Sequence, residues 1–145
     1  MIIADVGINS KAYGSVTETK DGRVCVTTVL GYERWNYQNI PYVKGRYYGG
    51  KVNYKQAAAK VKKIKGTYHE AGPFVTKSGS YGFSDGYTTS KSFNLANYMT
   101  LQTQTLNRTG YFNVFSGSGR VTTRFTAKYT IGGSSYTISV YASVA

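Results

Sequence analysis

The sequence predicts a mainly β protein, an antiparallel β-sandwich or sheet, and three observations lead to that prediction. The composition is rich in Tyr (15 of 145 residues) and Gly (17), which favours pleated strands joined by tight turns. Apolar and polar residues alternate with a period of two in stretches near both ends of the chain. Glycine-containing pairs interrupt these stretches where hairpins need a turn. We therefore expect hairpins or a meander at residues 13–33 and 95–144.

The first hairpin is predicted around the pair Asp21-Gly22. Both central positions of a type I′ turn need a positive φ, which Asp and Gly tolerate better than most residues. The flanking segments 13–19 and 24–32 are then antiparallel partners.

A short basic helix is predicted at about residues 53–65, between the two β regions. Asn53 is a suitable N-cap, and several lysines lie near the carboxyl end, where they offset the helix dipole. Gly66 can end the helix. The apolar residues that recur at helical spacing are Tyr54, Ala57, Ala58, Val61 and Ile64.

The segment 111–144 is predicted to form a three-stranded meander. Its last hairpin is expected to turn at Gly133-Ser134, which places Tyr129 opposite Ile138 and gathers the apolar side chains on one face. The apolar face fixes the register, because a one-residue slip would turn every side chain to the other side.

The first hairpin of that meander is expected to turn at Gly117-Ser118, which places Val114 opposite Val121. A further strand, from about Ala96 to Leu106, is expected to precede the meander.

The chain is expected to be a single all-β-type domain over residues 1–145. It contains neither a repeat of fixed period nor a linker-like segment, and its length is that of one ordinary domain. No stretch is apolar and long enough for a transmembrane helix, and the first residues lack the features of a signal peptide. The Tyr-, Thr-, Ser- and Gly-rich composition with one cysteine, Cys25, is nevertheless typical of an extracellular or virion protein.

The charge is strongly one-sided. Lys and Arg number 18 against 6 Asp and Glu, which gives a formal net charge of +12, and the last acidic residue is Asp85. Arg124 and Lys128 fall on the polar side of their predicted strand, so we expect them to face solvent. Such a charge attracts nucleic acid, anionic lipid or an acidic polymer of a cell surface.

Catalytic motifs are weak in this sequence. The segment Gly82–Gly86 matches the G-x-S-x-G pattern of a nucleophile elbow, but neither a helical segment nor a histidine follows it. His69-Glu70 is the one imidazole–carboxylate pair adjacent in sequence, and it raises the hypothesis of a metal-independent ribonuclease. With one Cys and one His, the chain lacks the ligands of a structural zinc site. We therefore expect a non-enzymatic protein with no cofactor and no bound metal.

One stretch combines aromatic rings with cations, as surfaces that bind single-stranded nucleic acid or acidic sugars do. It follows the first predicted hairpin. The binding residues predicted there are Arg34, Trp35, Tyr37, Tyr42, Lys44, Arg46, Tyr47, Tyr48 and Lys51.

The leading functional hypothesis is a secreted, surface or virion β-domain that binds an anionic surface polymer or forms homo-oligomers through edge strands. A membrane-active toxin or bacteriocin is the first alternative, because the last hairpin is about as long as a membrane-inserting one. A nucleic-acid-binding module is the second alternative.

Overall fold

The structure is a computed structural model, and it describes residues 9–17, 23–115 and 118–144. Within these residues the chain forms nine strands and one 3₁₀ turn at Leu95–Asn97. The strands are β1 Asn9–Thr17, β2 Val24–Tyr37, β3 Ile40–Lys55, β4 Lys60–Val75, β5 Tyr81–Ser92, β6 Gln102–Thr105, β7 Tyr111–Phe112, β8 Arg120–Ile131 and β9 Ser134–Ser143.

All strand pairings among the described residues are antiparallel, which confirms the predicted fold class. The order across the sheet is β1-β2-β3-β7-β4-β8-β9, while β5 lies on the other edge of β4 and β6 pairs with β3. The architecture is thus one sheet rather than two separate ones. The sheet folds over itself, because buried residues of β2 and β3 pack in the same core as those of β8 and β9.

The core is built by alternation along the strands. On β8 the buried positions 121, 123, 125, 127 and 129 alternate with polar or charged residues on the opposite side. Complete burial of a side chain such as Val121 or Phe125 contributes about 1.5–3 kcal/mol. As predicted, Arg124 and Lys128 lie on the exposed side of β8.

The predicted helix at about residues 53–65 is wrong. β3 continues to Lys55, residues 56–59 form a turn closed by a hydrogen bond from the Ala59 N–H to the Gln56 carbonyl (3.0 Å), and β4 begins at Lys60. Pairing with β8 overrides the local helical pattern, because it buries Ile64 in the core. Part of the supposed apolar face of the helix, including Tyr54, is exposed.

The β8–β9 hairpin is confirmed, with a register two residues from the predicted one. The turn lies at Gly132-Gly133, where φ is 56° and 89°, and Tyr129 faces Tyr136 instead of Ile138. A turn at Gly133-Ser134 would have required a positive φ at Ser134. Glycine adopts a positive φ without strain, which favours the turn at the two glycines. A shift of two residues leaves every side chain on its predicted face, so the apolar pattern could not distinguish the two registers.

The predicted three-stranded meander is wrong in its first strand. Phe112 of β7 pairs with Val43 of β3 and with Phe74 of β4, and not with β8. The edge of β8 that β7 would have used is taken by β4, which places Val121 opposite Glu70.

Two other β predictions are met in part. The strand predicted at 96–106 is a 3₁₀ turn followed by the short β6. β1 and β2 form the predicted antiparallel pair, but Thr17 lies opposite Cys25, one residue from the partner that a two-residue turn at Asp21-Gly22 gives. The turn itself lies outside the described residues.

Candidate anion-binding face

Four neighbouring strands, β5, β4, β8 and β9, present one continuous polar surface, called here the outer face. Because side chains alternate along a strand, residues two apart on each strand share this face and residues directly opposite on neighbouring strands form rungs across it. From one end to the other the rungs are Lys63–Lys128–Thr137, Ser92–Lys65–Thr126–Ser139, Ser90–Thr67–Arg124–Tyr141 and Thr88–His69–Thr122–Ser143.

The most unusual contact of the outer face is the first rung, where Lys63 stands directly opposite Lys128. Like charges at such positions repel and lower the stability of the strand pair. Lys65 and Arg124 add a positive charge to each of the next two rungs. The described residues place no carboxylate within ion-pair distance of these four cations.

The described carboxylates are engaged or positioned elsewhere. Glu33 of β2 pairs with cations of β3, Glu70 is buried beneath β4, and Asp85 lies in the bulged part of β5 outside the rungs. Among the described residues, no carboxylate therefore neutralises the positive charge of the outer face.

Hydroxyl groups surround the cations. Thr126 and Ser139 share a hydrogen bond of 2.9 Å between their side-chain oxygens, and Thr67 and Ser90 share one of 3.1 Å. Arg124 donates to the hydroxyl of the exposed Tyr141 (3.4 Å). These groups are short and held across strands, so they offer hydrogen bonds to a ligand without much loss of side-chain freedom.

Two adjoining depressions follow the outer face, with volumes of about 290 Å³ and 240 Å³. They share Thr67 and Arg124, so together they make one shallow, open groove. The larger depression is lined by Lys63, Lys65, Thr67, Arg124, Thr126, Lys128, Thr137 and Ser139.

The binding stretch predicted from the sequence lies on β2 and β3, and the structure divides it among several environments. Tyr48 and Tyr42 are 1% and 8% exposed and belong to the core. The ring of Tyr47 fills the space beside Gly31, and Lys51 lies opposite Thr27.

Two predicted cations of this stretch are already paired. Lys44 and Arg46 lie 3.5 Å and 3.1 Å from the same carboxylate oxygen of Glu33. Burial alone would raise the pKa of Glu33, but a hydrogen bond with Tyr111 and the charges of Lys44 and Arg46 lower it below its ordinary value. This carboxylate thus remains ionised and offsets part of the local positive charge.

Of the remaining predicted residues, Trp35 and Tyr37 belong to an aromatic cluster at the β2–β3 hairpin, and Arg34 packs elsewhere. Trp35 packs against Tyr37 and Tyr111, each with a ring-centroid distance of 5.1 Å. The Arg34 guanidinium lies 5.6 Å from the ring centroid of Phe115, and its buried Nε has no hydrogen-bond partner. The structure thus brings Trp35 and Tyr37 together, while Tyr48 and Lys51 lie apart from them on β3.

The structure separates the two groups of the ribonuclease hypothesis. His69 lies on the outer face with Nδ1 2.8 Å from the Thr88 hydroxyl. Glu70 points to the other side of β4, where it accepts hydrogen bonds from Tyr68 (2.8 Å) and Arg108 (3.0 Å). The two side chains do not share a site.

Neither a metal cluster nor a membrane span is found in the part of the chain that the structure describes. No three His, Cys, Asp or Glu side chains gather there in a way that could hold a metal ion. No helix there has the length and apolar character to cross a membrane.

The fold and the outer face define a class of protein, a basic single-sheet β protein with a cationic, hydroxyl-rich face. Comparison with models of known families, with curated proteins and with solved structures found no match. Lys63 and Lys65 were missed as site residues because they were assigned to a helix. Their alternation with Ile64 was the one sequence signal that could have placed them on the exposed face of a strand.

Proposed function

We propose that this chain binds a linear anionic polymer along its outer face and that it acts without catalysis. The observation that carries the proposal is the rung of Lys63 opposite Lys128. Like charges at directly opposite positions lower the stability of the strand pair, and no described carboxylate lies within ion-pair distance of either lysine. A phosphate or carboxylate there would convert a repulsive contact into two favourable ones.

The layout of the cations favours a polymer over a small ion. Successive rungs lie about 6.6–6.8 Å apart, because each strand residue advances about 3.3–3.4 Å. Lys63 with Lys128, then Lys65, then Arg124 therefore offer a positive charge at three consecutive steps along the groove. An open groove of this kind suits a chain that enters and leaves at both ends.

The chemistry of the groove favours a polymer of repeating phosphate or carboxylate groups, such as a teichoic-acid-like polymer of a cell surface. Hydroxyl side chains can bond its polar backbone, whereas Tyr141 and the imidazole of His69 are the aromatic rings on the four rungs that could stack a base. An extracellular or virion location is part of this proposal, because a protein in that location can contact the polymers of a cell surface.

The test is a binding measurement with a glycerol phosphate polymer, using calorimetry at low salt. The variant carries Lys63→Gln and Lys128→Gln, and the matched control carries Lys55→Gln and Lys91→Gln, two lysines that line neither depression of the outer face. Both variants lose two charges, so any difference reflects position. We expect the first to bind at least tenfold more weakly than the control.

Two outcomes would contradict the proposal. Equal binding by the two variants would mean that net charge alone attracts the polymer. Tighter binding of a mixed-sequence single-stranded DNA than of the glycerol phosphate polymer would favour the nucleic-acid alternative.

Association between copies of the chain is a second candidate, and the exposed edge of β5 favours it. Among the described strands β5 pairs with β4 alone, and it carries Tyr81 and Phe83, which are 64% and 67% exposed. Size-exclusion chromatography with light scattering tests this: we expect a concentration-dependent oligomer that Phe83→Ser reduces to monomer. A monomer at every concentration would rule it out.

A further inference from the structure

A second depression, separate from the outer face, lies where the β4–β5 turn meets β3 and β7. Its volume is about 480 Å³, within the range of small-molecule sites. It shares no lining residue with the groove of the outer face. The lining residues are Lys44, Thr76, Lys77, Ser78, Ser80, Thr109 and Tyr111.

Two ammonium groups of this depression lie near the same aromatic ring. Lys44 and Lys77 place their Nζ atoms 4.9 Å and 5.7 Å from the ring centroid of Tyr111. Lys77 also lies 5.4 Å from the ring centroid of Trp35. An aromatic face holds a cation without neutralising it, so Lys77 keeps its charge for an anion, while Lys44 shares its charge with Glu33 (3.5 Å).

The local charge remains positive after its own carboxylate is counted. Glu33 is shared between Lys44 and Arg46, and no described carboxylate lies within ion-pair distance of Lys77. The site can therefore take a singly or doubly charged anion without displacing an existing ion pair.

Hydroxyl groups of the five-residue β4–β5 turn line the same depression. The Thr76 and Ser78 side-chain oxygens are 2.8 Å apart, and the Ser80 N–H donates to the Thr76 Oγ1 (3.3 Å). Backbone hydrogen bonds from Thr76 to Ser80 and from Gly79 to Thr76, both 2.9 Å, close the turn. These bonds hold the hydroxyl groups in place beside the two lysines, as donors and acceptors for a ligand with several hydroxyl groups.

We infer that this depression binds one sugar or polyol unit that carries a phosphate or carboxylate. The acidic group lies between Lys44 and Lys77, and the hydroxyl groups of the unit bond to Thr76, Ser78 and Ser80. The inference is independent of the outer face, and it gives the predicted residue Lys44 a role in a site that the β4–β5 turn completes, with Trp35 supporting Lys77.

The experiment uses the fluorescence of Trp35, the one tryptophan of the chain, since Lys77 lies over its ring. The probes are glucose 6-phosphate, glucuronate, glucose and inorganic phosphate, each at up to about 10 mM, the range of weak single-unit binding. We expect a saturable change with glucose 6-phosphate or glucuronate, and the two arms distinguish phosphate from carboxylate. Lys77→Gln should weaken the response about tenfold or more, and the matched Lys91→Gln should not.

Failure of this inference is distinguishable from failure of the proposed function. The variant with Lys63→Gln and Lys128→Gln should keep the fluorescence response to the sugar acid, and Lys77→Gln should keep polymer binding. No response to any probe, an unchanged response in Lys77→Gln, or an equal affinity for inorganic phosphate and glucose 6-phosphate would each overturn the inference.

Discussion

Removing the paired lysines of the outer face should change how polymer binding depends on salt. Each charge of a single-stranded polyanion that a protein neutralises lowers the slope of log K against log salt by roughly 0.7. The groove offers Lys63, Lys65, Arg124 and Lys128, so full engagement gives a slope of roughly −2.8 by the same rule. The affinity should then fall by roughly 50-fold between 50 and 200 mM salt.

The variant with Lys63→Gln and Lys128→Gln keeps two of the four cations. Its slope should be roughly −1.4, and its affinity should fall by only about sevenfold over the same salt range. The control with Lys55→Gln and Lys91→Gln should keep the steeper slope, because neither lysine lines the groove. The assay is calorimetric titration with the glycerol phosphate polymer at four or more salt concentrations.

A thermal melt of each variant separates binding from folding. The variant with Lys63→Gln and Lys128→Gln loses the like-charge contact, so it should be as stable as the original chain or more stable by up to about 1 kcal/mol. Identical slopes in the variant and the control would refute the assignment of the groove as the binding site, whatever the affinities.

Three further predictions concern stability and pH. Glu70→Gln removes a carboxylate that is 1% exposed and holds Arg108, so it should lower the free energy of unfolding by about 3 kcal/mol in urea titrations. Burial raises the pKa of both Tyr68 and Tyr111. Their contribution to the free energy of unfolding is therefore complete below about pH 10, the ordinary tyrosine pKa, and stability should fall as the pH rises further. Tyrosinate absorbance and circular dichroism, followed together, check this. Gly49→Ala should cost about 2–3 kcal/mol, because an added Cβ would lie against a carbonyl oxygen of β6, and chemical denaturation measures it.

Each of these has a result that would contradict it. The control Asp85→Asn, at an exposed position, should keep the free energy of unfolding within about 0.5 kcal/mol of that of the original chain. An equal loss of stability in Glu70→Gln and Asp85→Asn would contradict the role of the buried ion pair. Titration of all tyrosines near pH 10 with the fold intact would contradict the pH prediction. An unchanged unfolding midpoint in Gly49→Ala would contradict the predicted cost of the added Cβ.

The sequence was most informative where one face of a strand is buried and the other exposed. The alternation on β8 and β9 identified both strands and the exposure of Arg124 and Lys128, because burial on one face imposes a period of two. It was least informative at residues 53–65, where lysines and alanines suit a helix and only pairing with the distant β8 makes a strand.

The candidate site was less predictable than the fold for a related reason. The outer face joins Lys63 to Lys128, which are far apart in the chain, and local patterns carry no signal for such pairings. The predicted aromatic–basic stretch is contiguous in sequence, but alternation along β2 and β3 sends neighbouring side chains to different environments. Tyr48 lies in the core for this reason, whereas Lys44 lines a surface depression and Trp35 lies next to it.

The contact between Lys63 and Lys128 also sets how the folded chain responds to dilution of its buffer. Their repulsion exists only when β4 and β8 are joined, so counterions that screen it favour the folded form. We expect dialysis into very dilute buffer to speed hydrogen–deuterium exchange along this seam, and added sulfate to slow it. A protein held together by surface ion pairs would respond in the opposite direction.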